Sequence, residues 1–258
     1  MTAGAGPAKP PLNVLVAGGS GASGVAVARA LREAGHRVST VGTDLERIQS
    51  AAQQAGDGVA PYVCDLARME EVRQLRTEVT AAAGPMDAVI HLVGGWRGAK
   101  GIPDQTDEDW DFLERAAITT LRNVSRVFYD DVAASPSGRF AMVSSTTAAK
   151  PTAATASYAA AKAAAEAWTL AIADGFSRDA GKNGGGAAAA VVLVVKALVD
   201  DKMRLSHPER SFAGATDVED LARAVVGLFD APAAGLNGRR LQLAARPAPD
   251  RTFLRLKA

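Results

Sequence analysis

One cysteine, Cys64, stands among 258 residues. A single thiol excludes an internal disulfide and any cysteine-based metal cluster, suits a reducing cytoplasm, and reads as a small buried hydrophobe. An excess of either charge is also missing, since 29 Lys and Arg against 28 Asp and Glu leave a net charge of +1. That balance lacks the polyelectrolyte character that would point to nucleic acid. No apolar run reaches membrane-spanning length, and the opening segment "MTAGAGPAKPPLN" has no stretch apolar enough for a signal peptide. It reads as a loose tail over residues 1–11. Internal repeats are absent, as is any interior linker long enough to divide domains; "GKNGGGAAAA" at Gly181–Ala190 is biased in composition and is expected to be a flexible turn. With 48% hydrophobic residues, the expectation is one soluble domain over residues 12–245, followed by a tail over 246–258.

What is present is alternation. Short β-branched runs at Leu12–Ala17, Arg37–Val41, Val59–Cys64, Ala88–Val93, Arg139–Val143, Ala189–Val195 and Arg240–Leu243 are separated by helical patterns. This βαβ order predicts a parallel sheet with helices on both faces. Thr106 with Asp109 and Thr216 with Glu219 have the spacing of helix-starting capping boxes, and Gly35 and Gly84 stand where helices should end.

The run "VLVAGGSGASG", Val14 to Gly24, passes from a buried strand into glycines and then into a helical pattern. In a first βα turn, glycines let the backbone bend sharply and approach a pyrophosphate, and the helix start offers free N–H donors. Gly18, Gly21 and Gly24 lie three apart, with Ser20 and Ser23 as added donors and Ala22 in the same turn. Valine at Gly18 or Gly21 is expected to abolish nucleotide binding and to leave the fold intact. Asp65 closes the third strand and can accept a hydrogen bond from an adenine amino group, with Leu66 beside it. The second strand ends in Gly42 where an acid would bind ribose hydroxyls and repel a 2′-phosphate. Ser20 and Thr43 suit that phosphate, so NADP is expected over NAD; Asp44 begins a helix and reads as its cap.

The segment "SSTTAAKPTAATASYAAAKAAAEAW" places Ser145 after a buried strand and Tyr158 and Lys162 four apart on one helix face. A phenol is a weak acid, and a neighbouring ammonium favours its ionised form. Lys162 is thus expected to tune Tyr158 and hold the nicotinamide ribose, and Ser145 to hydrogen-bond the substrate oxygen.

With these residues the chain resembles the short-chain dehydrogenase/reductase family from Leu12 to about Leu243. Ser145, Tyr158 and Lys162 match its catalytic serine, tyrosine and lysine, Asp65 its adenine-contacting aspartate, and "AGGSGASG" its nucleotide turn. The glycine spacing is closer to the family's longer, epimerase-like branch. The resemblance implies a Rossmann-type, doubly wound, mostly parallel seven-stranded sheet. It also implies NAD(P)-dependent oxidoreduction of a small carbonyl or secondary alcohol, no metal, no membrane or nucleic-acid partner, and a cytoplasmic homodimer or homotetramer. Several positions depart from the family. Its Asn-Asn-Ala-Gly is His91-Leu92-Val93-Gly94 here, so that only Gly94 remains as a cofactor contact. Ala117 stands where an asparagine orders a relay water, and Asn123 lies on another helix face. Lys196-Ala197 replaces Pro-Gly, and Asp201 replaces a threonine. His91 at a strand end reads as structural before catalytic. Arg97, beside Trp96, is a candidate for an anionic substrate group, and Lys202–Phe212 is the expected substrate lid. These departures leave two further readings, a cofactor-binding sensor or scaffold without turnover, and an epimerase or dehydratase that uses the cofactor transiently.

Overall fold

The computed structural model describes residues 10–183 and 188–243. Its strands are β1 (Asn13–Ala17), β2 (Arg37–Gly42), β3 (Ala60–Val63), β4 (Ala88–His91), β5 (Arg139–Ser145), β6 (Ala189–Val195), β7 (Leu198–Val199), β8 (Thr216–Asp217) and β9 (Arg239–Gln242). Seven of them form one sheet in the order β3-β2-β1-β4-β5-β6-β9, with every neighbouring pair parallel. The helices are α1 (Ala22–Glu33), α2 (Leu45–Ala55), α3 (Met69–Ala83), α4 (Asp107–Glu114), α5 (Thr120–Ala134), α6 (Ala156–Asn183), α7 (Asp201–Ser206), α8 (Val218–Gly227) and α9 (Ala233–Leu236). Because successive strand residues point to opposite faces, Val14 and Val16 pack with α1, α2 and α8, while Leu15 and Ala17 pack with α3, α5 and α6. Covering both faces explains why the strands read as unbroken apolar runs.

The expected ends shift for identifiable reasons. β4 stops at His91 rather than Val93, opposite the last residue of β1, because the glycine turn then presses against the backbone of Leu92 and Val93. β5 runs on to Ser145 because β6 keeps pairing with it as far as Val195. Helix α8 is capped not by Thr216 but by Asp217, whose carboxylate accepts from the Glu219 N–H at 3.0 Å; Thr216 pairs instead in the small β7–β8 sheet. Thr106 caps α4 as expected, and Gly35 and Gly84 follow α1 and α3 with φ of +88° and +93°. Helix α6 continues to Asn183 and β6 starts at Ala189, so the expected turn at Gly181–Ala190 is shorter than its composition suggests. Residues 184–187, the expected tail over residues 246–258, and all of the expected tail over residues 1–11 except Pro10 and Pro11 lie outside the described residues.

Candidate active site

The strand order reverses direction at β1, which has β2 on one side and β4 on the other. Open sheets of this kind leave a crevice at such a point, beyond the strand carboxyl ends. Gly18 enters it with φ of +87°, and a Cβ there would lie 3.0 Å from the backbone of Leu92 and Val93. Gly24 seats the first turn of α1 on Gly18 and Gly19, where a Cβ would approach their backbone to 2.6 Å. Gly21, by contrast, has no atom within 4 Å of its Cβ position. No side chain caps α1, so its first N–H groups are left for another acceptor.

A cavity of about 430 Å³ fills this crevice and brings together Gly18, Ser20, Gly21, Ser23, Thr43, Asp65, Leu66 and Gly94. Ala22 and Gly24 are not among its walls; they build the turn behind it. The Ser20 hydroxyl is buried with no hydrogen-bond partner. A Cβ on Gly42 would strike that hydroxyl, which explains why no acidic side chain stands at the end of β2. The uncapped helix start and the space over Gly21 fit a dinucleotide pyrophosphate, and the orphaned Ser20 hydroxyl adds a donor beside Gly42 at the end of β2.

Two charges modify this picture. Asp44 caps α2 by accepting from the Arg47 N–H at 2.8 Å, and both Asp44 and Arg47 line the same cavity. The Arg47 guanidinium has no carboxylate partner among the described residues. Asp65 is already engaged, with one oxygen accepting from the Ala67 N–H at 3.0 Å and the other paired with Arg115. Neither arginine was anticipated from the sequence. Helical phase from Asp44 places Arg47 on the cavity side of α2, a signal that the search at the strand tip alone misses.

An adjoining cavity of about 390 Å³ shares Ser23, Leu92 and Gly94 with the first and is walled by Ser145, Tyr158 and Lys162. The end of β5 supplies Ser145, and successive turns of α6 supply the other two. The Ser145 oxygen accepts from the Thr147 N–H at 3.2 Å and from the Thr147 hydroxyl at 2.9 Å. Its own proton is thereby left for Tyr158 or a substrate oxygen. Burial raises the Tyr158 pKa, and the hydrogen bond with Ser145 only partly offsets this. The expected lowering of the phenol pKa by Lys162 is not among its causes; desolvation wins. Lys162 donates to the Val143 carbonyl at 2.9 Å, and burial lowers its pKa to about 8 against support from Glu166.

The surrounding positions resolve several expectations. His91 is buried, and its Nε2 meets the Thr120 hydroxyl at 3.0 Å. Since Thr120 gives its proton to the Ala116 carbonyl, His91 is the donor to Thr120. Burial, then the Lys162 charge, lower the His91 pKa to about 3, so it is a neutral structural residue. Ala117 lies in a π-helical turn, Arg115–Thr119, packed with Ala161 and Tyr158. Asn123 is buried and donates to the Leu66 carbonyl at 3.1 Å, bracing the crevice floor rather than replacing the relay residue. Arg97 pairs with Asp109 at 3.3 Å and lies over Phe112, and it is not among the walls of this cavity, whereas Trp96 is. Asp201 is an exposed first-turn residue of α7. Among the described residues, no group of His, Cys, Asp or Glu is placed to hold a metal ion, and no helix is long and apolar enough to cross a membrane.

Comparison with known proteins bears on the same features. A family model described as short chain dehydrogenase matches residues 12–180. Acetoacetyl-CoA reductase of Shinella zoogloeoides is 31% identical, over 87% of this chain and 93% of its own. Nodulation protein G of Rhizobium meliloti (strain 1021) is 29% identical, and the chain spans about half of its length, 53%. Among solved structures, an NADPH-bound short chain oxidoreductase from Pseudomonas aeruginosa PAO1 with an atypical catalytic center has a TM-score of 0.78 at 19% identity, covering 90% of this chain and 95% of its own. Fold, glycine crevice and family model agree: the chain belongs to the short chain dehydrogenase family of oxidoreductases.

Proposed function

We propose that the protein moves a hydride between NADP(H) and a small carbonyl or secondary alcohol, with Tyr158 as acid–base, Ser145 as partner of the substrate oxygen and Lys162 as holder of the nicotinamide ribose. One observation carries the reading: Ser145, Tyr158 and Lys162 share one wall of a cavity that opens into the glycine crevice. A bound nicotinamide dinucleotide supplies or takes up the hydride at the carbonyl carbon. The residues handle the oxygen and its proton. In reduction, Tyr158 gives its proton to the carbonyl oxygen while the Ser145 hydroxyl donates to the same oxygen, and in oxidation the proton returns to Tyr158. A phenol is protonated at neutral pH, and burial strengthens its hold on that proton, so Tyr158 stands ready with the proton that reduction uses. Asp65 and Leu66 would meet the adenine, with Arg115 sharing the aspartate. Ser20, Thr43 and the unpaired Arg47 favour a 2′-phosphate, and Gly42 offers no carboxylate to repel it. On its single thiol we place the protein in the cytoplasm, and on the family resemblance as a homodimer or homotetramer.

The test is a nucleotide titration by fluorescence followed by a carbonyl panel. NADPH is expected to bind more tightly than NADH, and Tyr158→Phe to lower kcat by about 10²–10⁴ with the NADPH dissociation constant nearly unchanged. Equal turnover by Tyr158→Phe and wild type would remove Tyr158 as the acid. Tight cofactor binding without turnover of any carbonyl would favour the sensor reading, for which the buried Ala117 in place of an amide is the supporting observation.

A further inference from the structure

Lys196 follows the last residue of β6, and Val195 is the register partner of Ser145 on the neighbouring strand. The lysine therefore leaves the sheet one residue beyond the catalytic serine, at the carboxyl end where this fold places its ligands. Lys196 is among the residues lining the cavity that holds Ser145, Tyr158 and Lys162.

Lys196 is exposed, but its side chain is held in place. Its Nζ donates to the Ala213 carbonyl at 2.7 Å. Its stem lies along Gly214, whose Cβ position would be 3.1 Å from the lysine Cδ. The turn that receives it is costly to form: Gly214 has φ of +78° and Phe212 has φ of +47°, a left-handed conformation unfavourable for a bulky side chain. The Ala215 N–H closes the turn on the Phe212 carbonyl at 3.0 Å, and the Thr216 N–H ties it to the Ala197 carbonyl at 2.8 Å. An ammonium has three N–H groups, and the protein uses one. No carboxylate pairs with Lys196 among the described residues, and no acidic residue is among the walls of the cavity. Lys162, the other cation there, is committed to the Val143 carbonyl and the ribose side.

We infer that Lys196 is a specificity-determining residue that holds the carboxylate of a small oxo acid, or of the corresponding hydroxy acid, while Ser145 and Tyr158 hold the carbonyl oxygen. The assignment rests on the reductase reading above and adds the substrate class to it. A small acid suits the site because Lys196 and Ser145 leave adjacent strands, whose backbones lie about 4.8 Å apart.

The experiment pairs acetoacetate with methyl acetoacetate, which differ in the charge to be read, on wild type, Lys196→Gln and Lys196→Arg with saturating NADPH. Wild type should prefer the acid, and in Lys196→Gln the ratio of kcat/KM for acid over ester should fall about tenfold or more, through KM, the size expected for one charge-assisted hydrogen bond. Lys196→Arg should restore most of the ratio. Thermal melts confirm that each variant folds, and since Arg keeps the charge, a loss seen equally in both variants would mark Lys196 as a clasp for the turn and overturn the proposal. An unchanged ratio in folded Lys196→Gln would also overturn it, as would a parallel loss of NADPH affinity, which would assign the charge to a cofactor phosphate. If wild type reduces neither compound, calorimetry of both with the NADP-loaded protein separates the two ideas. Acetoacetate binding lost in Lys196→Gln sustains the anion site and removes the reductase reading, and absence of acetoacetate binding removes the site.

Discussion

Glu166 lies one helical turn beyond Lys162 on α6, buried, and it accepts from the Ser144 hydroxyl at 2.5 Å and from Arg240 at 2.6 and 3.0 Å. It therefore ties the helix carrying Tyr158 and Lys162 to the strand carrying Ser145, and its charge supports the Lys162 ammonium. Lys162 is charged below a pKa of about 8 and loses that charge as pH rises through it. Glu166→Gln keeps an acceptor for Ser144 but removes the supporting charge, so the alkaline decline of reductive kcat/KM should begin at lower pH than in wild type. An alkaline limb at the same pH in both proteins would refute this role. The glycine turn allows a second residue-scale test, and here the structure corrects, for Gly18 but not for Gly21, the expectation that valine leaves the fold intact. Gly18 is left-handed and pressed on backbone, so Gly18→Val should destabilise the protein. Gly21 has φ of −88° and open space over its Cβ position, so Gly21→Val should melt near wild type. It should weaken NADPH binding by about tenfold or more, equivalent to ~1.4 kcal/mol. Wild-type affinity in that folded variant would mean the open space is not a phosphate site.

Elements meet the site mainly through their ends. Helix α8 packs on α1 beneath the nucleotide turn, and its start depends on Asp217, which caps the Glu219 N–H and pairs with Arg204 of α7 at 3.1 Å. Asp217→Ala should cost about 1 kcal/mol from the cap alone, read as a lowered denaturant midpoint with unchanged slope. No change in midpoint would show that α8 is held by packing only. The far end of α8 is gripped from the sheet: Arg139 of β5 donates to the Leu228 and Ala231 carbonyls, each at 2.8 Å. Between α4 and α5 the π-helical turn carries Ala117 and packs it on Tyr158, so a methyl group stands where the family resemblance implies an amide.

At the scale of the whole molecule, His91 couples stability to pH. Its pKa is about 3 when folded and ordinarily 6.5, so from 6.5 down to 3 the unfolded chain binds a proton that the folded chain refuses. Stability contributed by neutral His91 is therefore full above pH 6.5 and is lost progressively as pH falls through that window. His91→Asn retains a side chain able to hydrogen-bond Thr120, and its melting temperature should fall less between pH 7 and pH 5 than that of wild type; equal falls would exclude His91 as the cause. The alternation of strands and helices, the glycine spacing and the Ser145–Tyr158–Lys162 series were legible in the chain because each is a local pattern whose geometry follows from one strand, one turn or one helix face. Strand ends were less so, since β4 and β5 stop where their neighbours stop. The pairing of Asp65 with Arg115, the Arg47 side chain at the crevice, the diversion of Arg97 to Asp109 and the clasp on Lys196 join residues from separate elements. Whether a charged side chain is free or spent depends on partners that only packing brings within reach, and burial, which raises the Tyr158 pKa and lowers those of Lys162 and His91, exists only once the chain has closed around them.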